Sequence, residues 1–266
     1  MKAVVFLGGG RITGALVAGL RLAGDRRRII VYDRNRGKVG ALRRESQVEV
    51  ARDLKSAMKQ AEMLIVAVRP ASVAGMLQEV VASGAQAPRV CVSLAAGIPL
   101  EKLRGKIGGR VRWVRAMPSP VSRIGRGLTA LCFERGMSRT DRKVVRDLFL
   151  RVGAVIEIRE NEFDAFTATY SSSHGYHALA TLARAAKESG LGRESAFIAA
   201  AHALSDGIEY WRESGESVEA LLEEAATPGG IAAATMNAMD RAGYARVVAM
   251  GLRAGIRQAK KNARGV

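Results

Sequence analysis

Cysteine is nearly absent: the 266 residues contain only Cys91 and Cys132, each inside an apolar run. Two isolated cysteines supply neither a disulfide framework nor metal-ligand spacing, so no metal is expected. Long apolar runs are also missing. Runs such as residues 3–7 and 63–68 are far too short to cross a bilayer. The chain enters a strand at residue 3, which leaves no room for a signal peptide. A reducing, cytoplasmic setting is therefore expected. With 48% hydrophobic and 25% charged residues, and only 6 prolines beside 29 glycines, the composition excludes disordered and collagen-like chains.

Acidic residues are scarce, 25 against 42 Lys+Arg, giving a net charge of +17. Such a field attracts nucleic acid, membrane surfaces and small anions. The basic residues are scattered, however. The densest groups, Arg26-Arg27-Arg28, Arg34-Asn35-Arg36 and Lys260-Lys261, are short and not interleaved with aromatics. Solvated, arginine-rich helix faces account for the charge, and neither nucleic acid nor a membrane is expected as a partner.

What is present is a change of pattern near residue 160. Before it, β-branched runs at 3–7, 29–32, 63–68, 90–93, 111–114, 128–133 and 154–158 alternate with amphipathic stretches such as 11–22, 73–82 and 140–150. That alternation predicts βαβ crossovers and a mainly parallel sheet, with Thr140 and Asp141 capping a helix. The run at 128–133 follows a Gly-rich turn with no long helix before it, so the last strands are expected to pair antiparallel. After the junction 159–162 the spacing is helical throughout, over 163–189, 193–213, 218–225 and 231–258. The predicted organisation is an α/β domain over 1–158 and an all-helical domain over 159–266. Segments 196–204 and 231–239 are apolar around most of their circumference, which favours interlocked helices of two copies.

The first strand runs into Gly8-Gly9-Gly10-Arg11-Ile12-Thr13-Gly14 and then directly into a helix. Strand, glycine turn and helix start are the context of a dinucleotide-binding loop. Gly8 serves the tight turn, Gly10 the backbone approach to a pyrophosphate, and the N–H groups of the helix start the negative charge. Thr13 stands at the third position, with Gly14 one residue late. The second strand ends at Asp33, 25 positions after Gly8, where a carboxylate suits the ribose hydroxyls of NAD. Arg34, Arg36 and Lys38 beside it suit a 2′-phosphate, and NADP(H) is favoured over NAD(H).

Further segments carry a resemblance. Ala67-Val68-Arg69-Pro70, Ser93-Leu94-Ala95-Ala96-Gly97-Ile98, Arg115-Ala116-Met117-Pro118-Ser119, Asp164-Ala165-Phe166-Thr167-Ala168 and Thr227-Pro228-Gly229-Gly230 occur in that order over nearly the whole chain. Together they resemble the pyrroline-5-carboxylate reductase family. The resemblance implies a Rossmann-type dinucleotide-binding domain followed by an all-α domain that dimerises by interleaving, giving a homodimer or a higher oligomer. It assigns the cofactor to Gly8, Gly10, Arg11, Ile12, Thr13, Asp33, Arg34, Val68, Arg69, Pro70, Ala95, Met117 and Pro118, with the nicotinamide near Ala95 and Met117-Pro118. The implied reaction is hydride transfer from NAD(P)H to the C=N carbon of a cyclic imine carboxylate, pyrroline-5-carboxylate to proline. Positioning supplies most of the rate, because a protonated imine is already electrophilic.

The chain departs from the family in its helical half. Where the family has G-S-G-P-A-Y, it reads Ser171-Ser172-Ser173-His174-Gly175-Tyr176, and Ala232 stands where the family has a threonine near the imine nitrogen. Losing two glycines and a proline is expected to remove a close backbone approach and a helix kink. Ser172, Ser173 and Tyr176 remain as substrate contacts. Tyr170, His174 and His177, at offsets of 4 and 7, are expected on one helix face, with His174 as a proton donor. A histidine packed in a dimer core is the plainer account of the same residue. Pro228, Gly229 and Gly230 open a helix whose free N–H groups suit a substrate carboxylate, and Thr227 adds a hydroxyl. Two alternatives stay open: a paralogue reducing another imine or carbonyl compound, and a non-catalytic dinucleotide-binding protein with a basic surface.

Overall fold

The computed structural model describes residues 2–108 and 111–265. Its centre is an eight-stranded sheet in the order β3-β2-β1-β4-β5-β6-β7-β8. The strands are β1 (Ala3–Leu7), β2 (Ile29–Tyr32), β3 (Glu49–Val50), β4 (Ala61–Val66), β5 (Val90–Ser93), β6 (Arg112–Met117), β7 (Gly127–Phe133) and β8 (Gly153–Glu157). The first six pair in parallel. β1, β2, β5 and the run 63–66 of β4 are covered on both faces, which is why these runs are almost continuously apolar instead of alternating.

Side chains alternate between two cores. Val4, Phe6, Met63, Ile65, Val90, Val92, Val114 and Ala116 face one core. That side is closed by α1 (Arg11–Leu22), α2 (Arg36–Ser46) and α6 (Arg139–Leu150). Val5, Leu7, Leu64, Val66, Cys91 and Trp113 face the other. There the cover is α3 (Leu54–Gln60), α4 (Val73–Ala82), α5 (Leu100–Leu103) and Phe163 of α7 (Phe163–Thr169).

Several expectations change in detail. β7 is antiparallel to β6, as the missing crossover helix predicts, but β8 returns parallel to β7 because α6 crosses between them. The cap of α6 is Ser138, whose hydroxyl accepts from the Asp141 N–H at 3.1 Å, so Thr140 and Asp141 already lie inside the helix. The helix expected over 163–189 is two, α7 and α8 (Ser172–Glu188). The extended Ser171 caps α8, and hydroxyl-rich sequence competes with helix continuation. α9 (Arg193–Ser214) and α10 (Val218–Ala225) follow. The stretch 231–258 is likewise divided, into α11 (Ile231–Arg241) and α12 (Tyr244–Asn262), with a left-handed Gly243 between them.

The chain forms two compact units, Met1–Thr169 with Ala254–Val266, and Tyr170–Arg253. Strand structure ends at β8, yet α7 and the last turns of α12 belong to the sheet unit because Phe163 and Ala259 are buried there. In the second unit α8 packs on α9, and its only buried residues are Ala183, Ala196 and Ala200. Among the described residues no helix is long and apolar enough to cross a membrane.

Candidate active site

The carboxyl ends of β1, β2, β4, β5 and β6 lie along one sheet edge, because Leu7 is in register with Tyr32 and Val66, Val66 with Ser93, and Ser93 with Arg115. β2 and β4 flank β1, and their connections leave in opposite directions. An open α/β sheet binds its ligand in that crevice. The cofactor residues named from sequence, spread over 8–118, are thereby gathered on one edge.

The glycine loop is held on both sides. Gly8 has φ +111°, and a Cβ there would stand 2.8 Å from the Ala67 carbonyl oxygen, so β1 and β4 meet at a residue without a side chain. The Gly8 N–H donates to Tyr32 O at 2.7 Å, and the Gly9 N–H to Asp33 Oδ2 at 2.8 Å. Thr13 is fully buried, its hydroxyl donating to Gly8 O at 2.6 Å. Thr13 thus locks the loop onto the first turn of α1 and has no hydroxyl hydrogen left for a ligand. Gly10 is the helix cap, with no side-chain capping bond and no acidic residue in the first turn. A Cβ on Gly10 would meet nothing within 4 Å. The uncapped helix start and the open space in front of Gly10 fit a dinucleotide pyrophosphate.

Asp33 is more committed than its spacing suggested. Oδ2 accepts from Gly9, and Oδ1 accepts from the Asn35 N–H at 2.8 Å. Arg34 pairs with Glu79 of α4, while Arg36 and Lys38 project from the exposed first turn of α2, capped by Asn35. Ala67, Val68, Arg69 and Pro70 continue from β4, with Arg69 exposed and Pro70 opening a short 3-10 turn. Ala95 is buried just past β5, and Met117 and Pro118 close β6.

Sequence reasoning passed over the group that anchors this last strand. Arg115, whose side chain is 2% exposed, donates to Glu160 Oε1 at 2.7 Å and Asp164 Oδ1 at 3.0 Å, and its guanidinium lies 4.0 Å above the Phe163 ring. The Cys132 thiol donates to Glu160 Oε2 at 3.3 Å. Burial, reinforced by that carboxylate, pushes the Cys132 thiol up to about 12. The signal was present in Arg115 inside a strand, two residues before Met117.

The second unit carries the remaining named residues. Ser172, Ser173 and His174 form the first turn of α8, with Tyr176 following and 66% exposed. The Ser171 hydroxyl caps this turn and lies 2.7 Å from that of Ser173. Tyr170 precedes the cap and lies outside α8, so of the three residues His174 and His177 share that helix. Thr227, Pro228, Gly229 and Gly230 make a turn between α10 and α11, closed by the Gly230 N–H donating to Thr227 O at 2.9 Å. Gly230 caps α11 without a side-chain bond, leaving the helix N–H groups open.

Two family models match this chain. Residues 3–97 match the family described as NADP oxidoreductase coenzyme F420-dependent, and residues 160–262 match pyrroline-5-carboxylate reductase dimerisation. Among curated proteins, the chain is 28% identical to a pyrroline-5-carboxylate reductase of Corynebacterium melassecola, over 91% of this chain and 92% of that protein. It is 27% identical to one from Synechocystis, over 96% of each. Among solved structures, the Plasmodium falciparum pyrroline carboxylate reductase with NADP bound superposes with a TM-score of 0.87 at 21% identity, covering 98% of both chains, which shows the shared fold. A nicotinamide-dinucleotide edge in one unit, a dimerisation match across the helices and relatives aligned nearly end to end all support the pyrroline-5-carboxylate reductase family.

Proposed function

We propose that this protein is an NAD(P)H-dependent reductase that converts pyrroline-5-carboxylate to proline. The observation that carries the reading is full-length agreement: both halves match in order, and the curated relatives bearing that name are covered over more than nine-tenths of their length. Bound NAD(P)H supplies the hydride for the C=N carbon. The chain's own part is to bind and orient. N–H groups of the 8–10 loop and of α1 hold the pyrophosphate, with Arg11 and Ile12 in the same turn. Val68, Arg69 and Pro70 line the dinucleotide, and Ala95, Met117 and Pro118 support the nicotinamide. The open N–H groups beside Pro228, Gly229 and Gly230 receive the substrate carboxylate, with the Thr227 hydroxyl beside them. Ser172, Ser173 and Tyr176 line the substrate. His174 holds the proton for the ring nitrogen, the role for which Ala232 has no hydroxyl.

NADP(H) is the proposed cofactor. Both Asp33 oxygens already accept backbone N–H groups, and Arg36 and Lys38 are exposed on the first turn of α2 beside Arg34, with Arg36 making a long 3.5 Å bond to Arg52 O. A 2′-phosphate meets cations there. The assembly is a homodimer or a larger oligomer through the helical unit, supported by the dimerisation match and by exposed Phe197, Trp211, Val247 and Met250. A cytoplasmic setting accords with two buried free thiols, Cys91 and Cys132.

The test is purified protein with NADPH, then NADH, and pyrroline-5-carboxylate, followed by nicotinamide absorbance. Turnover on the order of 1 per second or more, faster with NADPH, is the expected result. Tight NADPH binding without turnover would leave the cofactor edge standing and shift the substrate to another imine or carbonyl compound.

A further inference from the structure

The last turns of α12 lie against the cofactor edge of their own unit. Gly255, Ala259 and Asn262, spaced four and three apart, share one helix face, and each makes a close contact. A Cβ on Gly255 would stand 3.1 Å from the Ala168 Cβ of α7. Ala259 is 5% exposed, and its carbonyl occupies the place where a side chain on Gly97 would go. Gly97 also has φ +79°, so backbone packs directly on backbone at a residue that must lack a Cβ. Next to it the Asn262 side-chain amide donates from Nδ2 to Ala96 O at 3.2 Å, a bond spanning 166 residues of sequence. Beyond Asn262, the short 3-10 turn Ala263–Gly265 packs against Pro70–Ser72 after β4.

The two segments touched by this helix end, the turn 70–72 and the loop 95–97, carry Pro70 and Ala95 of the proposed cofactor set. The loop after β5 has few internal ties: the Leu94 N–H donates to Val66 O at 2.9 Å, and the Ala95 N–H to Ser93 Oγ at a long 3.3 Å. The Ala96 carbonyl takes its bond from Asn262.

We propose that Asn262, with Ala259 packed on Gly97, is a positioning residue that holds the 95–97 loop in register for the nicotinamide. The helical segment matched by the dimerisation model thus supplies a part of the cofactor edge. The proposal rests on the cofactor reading above. Asn262 does not touch the dinucleotide; it acts through the backbone of Ala96, and its loss lets Ala95 drift from the nicotinamide while the 8–10 loop stays in place.

The test is calorimetric and needs no turnover. Wild-type protein and Asn262→Asp are titrated with NADPH and with the 2′-phosphate of ADP-ribose, which keeps the phosphates and adenosine but lacks the nicotinamide. The aspartate has the same shape and no N–H to offer. The expected result is weaker NADPH binding by roughly three- to tenfold, the weight of one hydrogen bond, with binding of the fragment unchanged. Asn262→Gln, which keeps an amide donor, is expected to recover part of the loss. Equal binding of NADPH by wild type and Asn262→Asp would overturn the proposal. So would parallel weakening of both ligands, because that marks general loosening of the unit. Wild-type protein that binds neither ligand would remove the cofactor reading itself, and the positioning role with it.

Discussion

Gly8 and Gly10, two residues apart in one loop, respond differently to the same substitution. Gly8→Ala combines a φ of +111° with a 2.8 Å approach to Ala67 O. It is expected to cost about 1–3 kcal/mol in urea unfolding and to weaken NADPH binding as well. Gly10→Ala meets nothing within 4 Å and is expected to change stability by less than about 1 kcal/mol. It nonetheless raises the NADPH Kd on the order of tenfold, because the added methyl stands where the pyrophosphate approaches. His174→Ala is expected to lower kcat about a hundredfold while leaving NADPH binding intact; an unchanged kcat would assign the histidine to packing instead. Cys132, with its thiol pushed up to about 12 by burial and Glu160, stays protonated at pH 8. Iodoacetamide should label it only after unfolding, as read by mass spectrometry.

At the scale of elements, Arg115 ties β6 to α7. Its guanidinium is buried between Glu160 and Asp164, whose side chains are 38% and 26% exposed. Arg115→Met leaves two carboxylates facing each other without a cation. The carboxylates keep some water, so the expected loss is about 2–3 kcal/mol in urea unfolding, below that of a fully buried pair. The inner strands of the sheet were legible because burial on both faces makes them short apolar runs, and α1 and α4 because their buried residues recur at helical spacing. The excursion 36–60 was not. α2 carries four basic residues against three buried ones, Val39, Leu42 and Ser46, and β3 has only two residues, so periodicity was too weak to read. A signal did exist in Asp53 and Ser56, which form a reciprocal capping box at the start of α3. The break at Tyr170 and Ser171 was missed for another reason. Helical spacing continues across it, and one extended residue, Ser171, is enough to restart the helix.

For the whole molecule, the decisive fact is how little the second unit buries. Between Tyr170 and Arg253 only three alanines are buried, while Ile231 is 88% exposed, Val247 60% and Met250 54%. Apolar helices of this kind need a second surface. Sedimentation at micromolar concentration is expected to show a dimer or larger species, and Val247→Glu with Met250→Glu to shift it toward monomer. The sequence by itself determined the α/β-then-helical order, the glycine loop at the end of β1 and the family resemblance, because each is written in contiguous residues: apolar runs, helical spacing, short motifs. Only the tertiary structure decided that Asp33 is spent on Gly9 and Asn35, that Arg115 is neutralised by Glu160 and Asp164, and that Asn262 reaches Ala96. Those partners lie up to 166 residues apart. Which distant groups share a buried space is set by how helices and sheet pack, and no local pattern encodes it.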